Sequence, residues 1–182
     1  MVGYLILGTV ALLIALFISM YNRFIALRNK VDEAFATLYA HYKKRCDLLP
    51  NFVEIVKGYA AQEQQTLNAA IEAYKRSSGA ESIPEMKTGE TAFLAGIRSL
   101  LALSENSPAL KADEKFQELQ QQLEVVEKDV SQARKYYNEL VHDLNTRLKV
   151  FPQSIVGAML GISKREYFEV SPEERKNIKF YF

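Results

Sequence analysis

The hydrophobic pattern divides the chain sharply near its twentieth residue. Val2 to Met20 contains no Asp, Glu, Lys, Arg or His, and as a helix it is roughly 28 Å long, close to the hydrocarbon thickness of a bilayer. No Lys or Arg precedes this run and no small-x-small site follows it, so it reads as a retained anchor and not a cleaved signal peptide. Arg23, Arg28 and Lys30 follow the span while only Met1 precedes it, which predicts the N-terminus outside and the bulk of the chain in the cytoplasm. Within the span, Gly8, Ala11, Ala15 and Ser19 fall at steps of three or four. Such a stripe of small residues lets two helices approach closely in lipid.

Beyond the anchor the period is that of long amphipathic helices. Phe24, Leu27, Val31, Ala34, Phe35, Leu38 and Tyr42 recur at three-to-four spacing, with no Gly or Pro between Tyr21 and Leu49, so the anchor is expected to continue straight into this helix. Pro50 lacks an N–H and ends or kinks it. Asp47, Pro50 and Asn51 then form a helix corner, with Asp47 and Pro50 suited to capping and opening the next helix. That helix is expected over about 51–76, with Phe52, Val56, Tyr59, Ala60, Leu67, Ala70, Ile71 and Tyr74 inward, and 77–84 as its turn. A shorter helix is expected over 90–104, followed by a breaker and cap at Asn106-Ser107-Pro108. The strongest seam runs through Phe116, Leu119, Leu123, Val126, Val130, Ala133, Tyr137, Leu140, Leu144, Arg147 and Phe151. Its alternating steps of three and four predict coiled-coil-like packing along one long helix.

These elements predict an all-α protein, a transmembrane helix continuing into an elongated antiparallel bundle with long coiled-coil-like helices. Its parts are an anchor over 1–20, a cytoplasmic helical bundle over 21–150, and a C-terminal apolar short helix and tail over 151–182. In that last part Ile155, Val156, Ala158, Met159 and Leu160, and then Phe180, Tyr181 and Phe182, all need cover. Folding back onto the bundle is the expected solution, ahead of docking on lipid or a partner.

Composition narrows the function. The 182 residues carry 23 Lys plus Arg against 22 Asp plus Glu, a formal charge of +1, which argues against a nucleic-acid binder. One cysteine, Cys46, excludes an intramolecular disulfide, and two histidines give little material for a metal cage. Neither a GxSxG elbow nor a Gly-rich phosphate loop is present. Glu139 and His142 make half of a di-iron bundle motif, but the second half is missing and both point away from the predicted seam. His41 reads as a partly exposed polar residue, Cys46 as an inert thiol, and Lys43-Lys44-Arg45 as a solvated face. Glu127 and Arg134 flank the seam one heptad apart and suit structural ion pairs with a neighbouring helix.

Specific residues also carry a family resemblance. Tyr21-Asn22-Arg23, Ala34-Phe35, Asp47-Leu48-Leu49-Pro50-Asn51 with Val53, and Val56-Lys57-Gly58-Tyr59-Ala60 with Glu63 are its first pieces. Glu127, Arg134, Tyr137-Asn138, Asn145, Phe151-Pro152 and Tyr167-Phe168-Glu169 follow. From Tyr21 to its end the chain resembles the LemA family of bacterial membrane proteins. Phe35 falls where that family often has Trp, and Cys46 is not a typical choice at its position. The resemblance implies a single-pass inner-membrane protein with no established catalytic activity, some relatives being linked to membrane remodelling and others lying beside genes for membrane proteases. The expectation is a non-enzymatic, self-associating scaffold or adaptor in the lipid bilayer, forming a homo-oligomer and binding no cofactor, metal or nucleic acid. The alternative is an accessory or sensor subunit of another membrane enzyme, such as a protease, with that membrane protein as its partner.

Overall fold

A computed structural model of the protein describes residues 1–169, which form seven helices and no strand among the described residues. The aromatic cluster Phe180, Tyr181 and Phe182 lies outside them. Helix α1 runs unbroken from Val2 to Cys46, as the uninterrupted helical pattern through Tyr21 requires. It is followed by α2 (Leu48–Tyr59), α3 (Gln64–Ser78), α4 (Ile83–Glu105), the single turn α5 (Pro108–Lys111), α6 (Glu114–Arg147) and α7 (Gln153–Met159). The described chain forms two compact units. One comprises residues 1–36 and 135–167, and the other residues 37–134 with 168–169.

In the second unit, α2, α3 and α4 pack mutually, α3 mainly against α4. Two glycines permit that contact. A Cβ on Gly96 would stand 2.8 Å from the Ala73 Cβ, and one on Gly89 would meet the Tyr42 hydroxyl and, at 2.9 Å, the Ser77 Cα. The expected helix over 51–76 is in fact two, broken where Ala60 leaves helical geometry (φ −134°, ψ 48°). Tyr59 and Ile71, expected inward, are exposed, and Val53 and Ala73 are buried instead. Helix α4 begins seven residues earlier than expected, inside the predicted turn. Ser82 and Glu85 close a reciprocal capping box there and Pro84 sits in the first turn, where its missing N–H costs nothing. At the α1–α2 corner Pro50 lies in the first turn of α2, but the expected side-chain cap is absent. Asp47 occupies the cap position in helical geometry and makes no capping hydrogen bond. Asp113 does cap, accepting from the Phe116 N–H (2.9 Å) at the start of α6 while also accepting from the Tyr59 hydroxyl (2.7 Å).

In the first unit, Phe24, Leu27, Val31 and Ala34 of α1 are buried, as are Tyr137, Val141 and Leu144 of α6 and Val156 of α7. The sequence seam follows the buried side of α6 through Tyr137 and then departs from it. Val141 is fully buried and Leu140 only partly, so two steps of four succeed one another and the seven-residue repeat is not kept. Arg147 reaches back to Asp143 (2.8 Å), and Phe151 is 76% exposed. Both are therefore off the seam. The stretch after α7 is held to α6 by side chains: Asn145 donates to the Arg165 carbonyl (2.9 Å) and accepts from its N–H (3.0 Å), and the Tyr137 hydroxyl donates to the Glu166 carbonyl (2.9 Å). Arg165 also pairs with Asp32 of α1 (2.8 Å). Those bonds give Tyr137 and Asn145, two of the residues carrying the family resemblance, a physical task.

Candidate functional site

Two features stand apart from ordinary packing: the naked N-terminal part of α1 and a buried charge cluster in the second unit. Met1 to Leu16 are all exposed. No residue of the most apolar window is buried, and this helix is long and apolar enough to cross a membrane. Gly8, Ala11 and Ala15 lie within this exposed run, Ser19 is exposed just beyond it, and no described atom stands within 4 Å of where a Gly8 Cβ would be. Water would make such a surface costly, at about 25 cal/mol per Å² of apolar area left uncovered. Lipid removes that cost.

The charge cluster centres on Arg45, which is fully buried. Its position corrects the expectation that Lys43-Lys44-Arg45 is one solvated face: Lys44 is exposed, Lys43 is half-buried and donates to the Ser78 carbonyl, and Arg45 points inward. Nη1 donates to Glu90 Oε1 (3.0 Å) and to both carboxylate oxygens of Glu127 (3.2 Å each), while Nη2 pairs with Glu90 Oε2. The guanidinium carbon lies 4.5 Å from the Phe93 ring centroid and 5.2 Å from that of Tyr42, so aromatic faces cover what the carboxylates leave. Only Nε lacks a hydrogen-bond partner. Helices α1, α4 and α6 are thus joined by one cation and two carboxylates.

Burial opposes the Arg45 charge, but Glu90 and Glu127 outweigh it and raise the guanidinium pKa further, so Arg45 is charged at any pH the fold survives. Burial raises the Glu127 pKa, against the pull of Arg45. Burial likewise pushes up the Tyr42 phenol and the Cys46 thiol, which suppresses thiolate formation and fits an unreactive cysteine. Of Glu127 and Arg134, both expected to pair with a neighbouring helix, Glu127 meets Arg45 of α1, and Arg134 contributes its charge to the Glu127 carboxylate and lies 5.9 Å from the Phe168 ring centroid. His41 is near Asp129 (3.8 Å), and the His142 ring is 3.4 Å from the Tyr167 hydroxyl. Among the described residues no group of three or more His, Cys, Asp or Glu is placed to hold a metal.

Chemically, the cluster is an ion network whose cation is sealed from solvent while Glu127 keeps a partly exposed edge. Sequence reasoning missed Arg45 and Glu90 although both were in phase. Arg45 continues the Leu38–Tyr42 spacing, and Glu90 falls between Met86 and Phe93 on a stripe of alternating threes and fours. Counting only apolar residues as inward hid them.

The fold and this cluster define an all-helical protein with one long apolar helix and a domain locked by internal charge. The chain belongs to the LemA family, whose model matches residues 34–182. Membership and the apolar helix are together compatible with a membrane-anchored protein. No curated protein matches the chain.

Proposed function

We propose that this protein is a membrane-anchored, self-associating helical scaffold or adaptor of the bacterial inner membrane, crossing it once with the N-terminus outside and the helical units in the cytoplasm. The observation that carries this reading is the charge-free, wholly exposed run at the start of α1, which has lipid as its natural solvent. Arg23, Arg28 and Lys30 set the orientation. The stripe of Gly8, Ala11, Ala15 and Ser19 supplies a face for close approach between copies. The protein acts by position and contact, because its concentrated charge is spent inside the fold on holding helices together.

Crosslinking in intact membranes at native expression, followed by sizing in mild detergent, tests the proposal. A homomeric particle larger than a dimer supports it. Monomers alone overturn it, and monomers co-purifying with a membrane protease or kinase favour an accessory subunit. A reporter fused after Phe182 should be active in the cytoplasm, and periplasmic activity would reverse the orientation.

A further inference from the structure

We propose that the α6–α7 corner and the outer side of α7 form a second membrane contact, an interfacial helix lying in the lipid headgroup region beside the point where α1 enters the bilayer. The inference rests on the anchoring proposed above, and every residue it uses belongs to the first unit.

The position follows from register. Helices α1 and α6 run antiparallel here: the Phe35 and Tyr137 rings are 6.1 Å apart, and Phe24 and Leu148 both border Gly157. From Phe35 back to Phe24 and from Tyr137 on to Leu148 are each eleven residues, or about 16 Å of helix rise. Leu148 thus comes level with Phe24, four residues past the end of the charge-free run at Met20, and Val150 and Phe151 follow directly in the turn beyond α6. A Cβ on Gly157 would stand 2.5 Å from Leu148 Cδ2 and 3.5 Å from Phe24 Cζ, so α7 is seated tightly at this level.

The surface presented there is apolar and, among the described residues, uncovered. Helix α7 has no charged residue and buries Val156 and Gly157 on its inner side. On its outer side Ile155 (53% exposed) and Met159 (69%) stand one turn apart, and Val150 (50%) and Phe151 (76%) of the preceding corner are exposed as well. The sequence pattern predicted that this segment folds back onto the bundle, and only its inner half does. Exposed Lys149 and Lys164 flank the apolar stretch, where ammonium groups meet lipid phosphates, and Tyr21 (41% exposed) stands at the depth favoured by interfacial aromatics. A short uncharged helix with basic flanks, fixed within a turn or two of a spanning helix, has the bilayer surface as its nearest cover. Such a contact would limit tilting of α1 about its point of entry.

The chain has no tryptophan, so single substitutions report cleanly. Three full-length variants, Leu12→Trp in the span, Phe151→Trp on the corner and the exposed control Tyr136→Trp, are placed one copy per nanodisc. The discs combine phosphatidylcholine and phosphatidylglycerol with brominated acyl chains. Leu12→Trp should be strongly quenched, Phe151→Trp quenched severalfold more than Tyr136→Trp, and Tyr136→Trp nearly unaffected. Quenching of Leu12→Trp with Phe151→Trp no more quenched than Tyr136→Trp overturns the interfacial contact and leaves the anchor standing. An unquenched Leu12→Trp overturns the anchor itself, and the contact with it.

Discussion

The two ends of α1 invert each other. Over its first sixteen residues the helix exposes Leu, Ile and Val and carries no charge, while at its other end it buries an arginine completely. Ordinary soluble helices do neither. The difference shows that burial is set by the surroundings a residue is offered, not by its hydropathy. Apolar residues stay outside where lipid can replace protein as the cover, and a guanidinium goes inside where two carboxylates and two aromatic rings receive it.

The largest effect should come from breaking the inner end. Arg45→Met leaves Glu90 and Glu127 facing each other without the cation that bridges them, and should cost about 3–5 kcal/mol of folding stability. Replacing the trio together, as Arg45→Met with Glu90→Leu and Glu127→Gln, removes the stranded charges and should recover most of that loss. Thermal unfolding of the detergent-solubilised protein measures both. A shift in Tm for Arg45→Met no larger than that of a surface substitution would mean the cluster is not sealed. Arg45→Lys should fall between, because an ammonium cannot serve two carboxylates through a planar fork.

Next comes the buried side of α6, which sharpens the same contrast of inside and outside. Val141→Asp should cost several kcal/mol, as should Val130→Asp, since each buries an unpaired charge. Leu140→Asp should cost clearly less, and the exposed Glu139→Ala about half a kcal/mol or less. Chemical denaturation with linear extrapolation separates these values. If Leu140→Asp proved as damaging as Val141→Asp, the sequence seam would be right and the observed register wrong.

That seam illustrates which parts of the fold the sequence carried legibly. Long stripes were readable because each buried position repeats one geometric rule, and Phe116 through Tyr137 follow it step by step. The rule weakened where backbone geometry changes. Ala60 breaks a helix with no proline nearby, and Ser82-Ile83-Pro84-Glu85 looks like a turn until its capping box is counted as a helix start. The charge cluster was the hardest to see, because its three members are distant in sequence and each is individually a good surface residue. Arg45 and Glu90 fall in phase with their buried neighbours, yet the basic run reads as a solvated face and Glu90 is not singled out. Only the partners, brought together by tertiary packing, make the inward position tolerable.

A smaller effect concerns pH. Burial raises the Glu127 pKa in the folded state above its ordinary value of 4.5, so the folded protein holds this proton more tightly than the unfolded chain does. Stability from this group is fully present below that ordinary value and is lost as pH rises through the raised one. Glu127→Gln fixes the neutral form and removes the proton exchange. Relative to the wild type, the variant should therefore gain stability as pH increases from about 4.5. Parallel stability curves for the two proteins across that range would show that Arg45 neutralises the carboxylate fully.

The smallest effect on folding, and the one most telling for function, should come from the outer end of α1. Ala11→Ile with Ala15→Ile widens the small-residue stripe on a helix face that is exposed at both positions. Because both positions are exposed, the double variant should leave the unfolding of the helical units within about half a kcal/mol of wild type. Association in lipid depends on how closely two backbones approach, so the same double variant should reduce crosslinked oligomers in intact membranes. Leu12→Ile with Leu13→Ile keeps the bulk of the neighbouring faces and should reduce them less. Equal yields from all three proteins would remove the stripe as the association surface and transfer that role to helices beyond the bilayer. Loss of oligomers together with a lowered Tm would mean that the anchor supports the fold, and the inversion between the two ends of α1 would no longer separate assembly from stability.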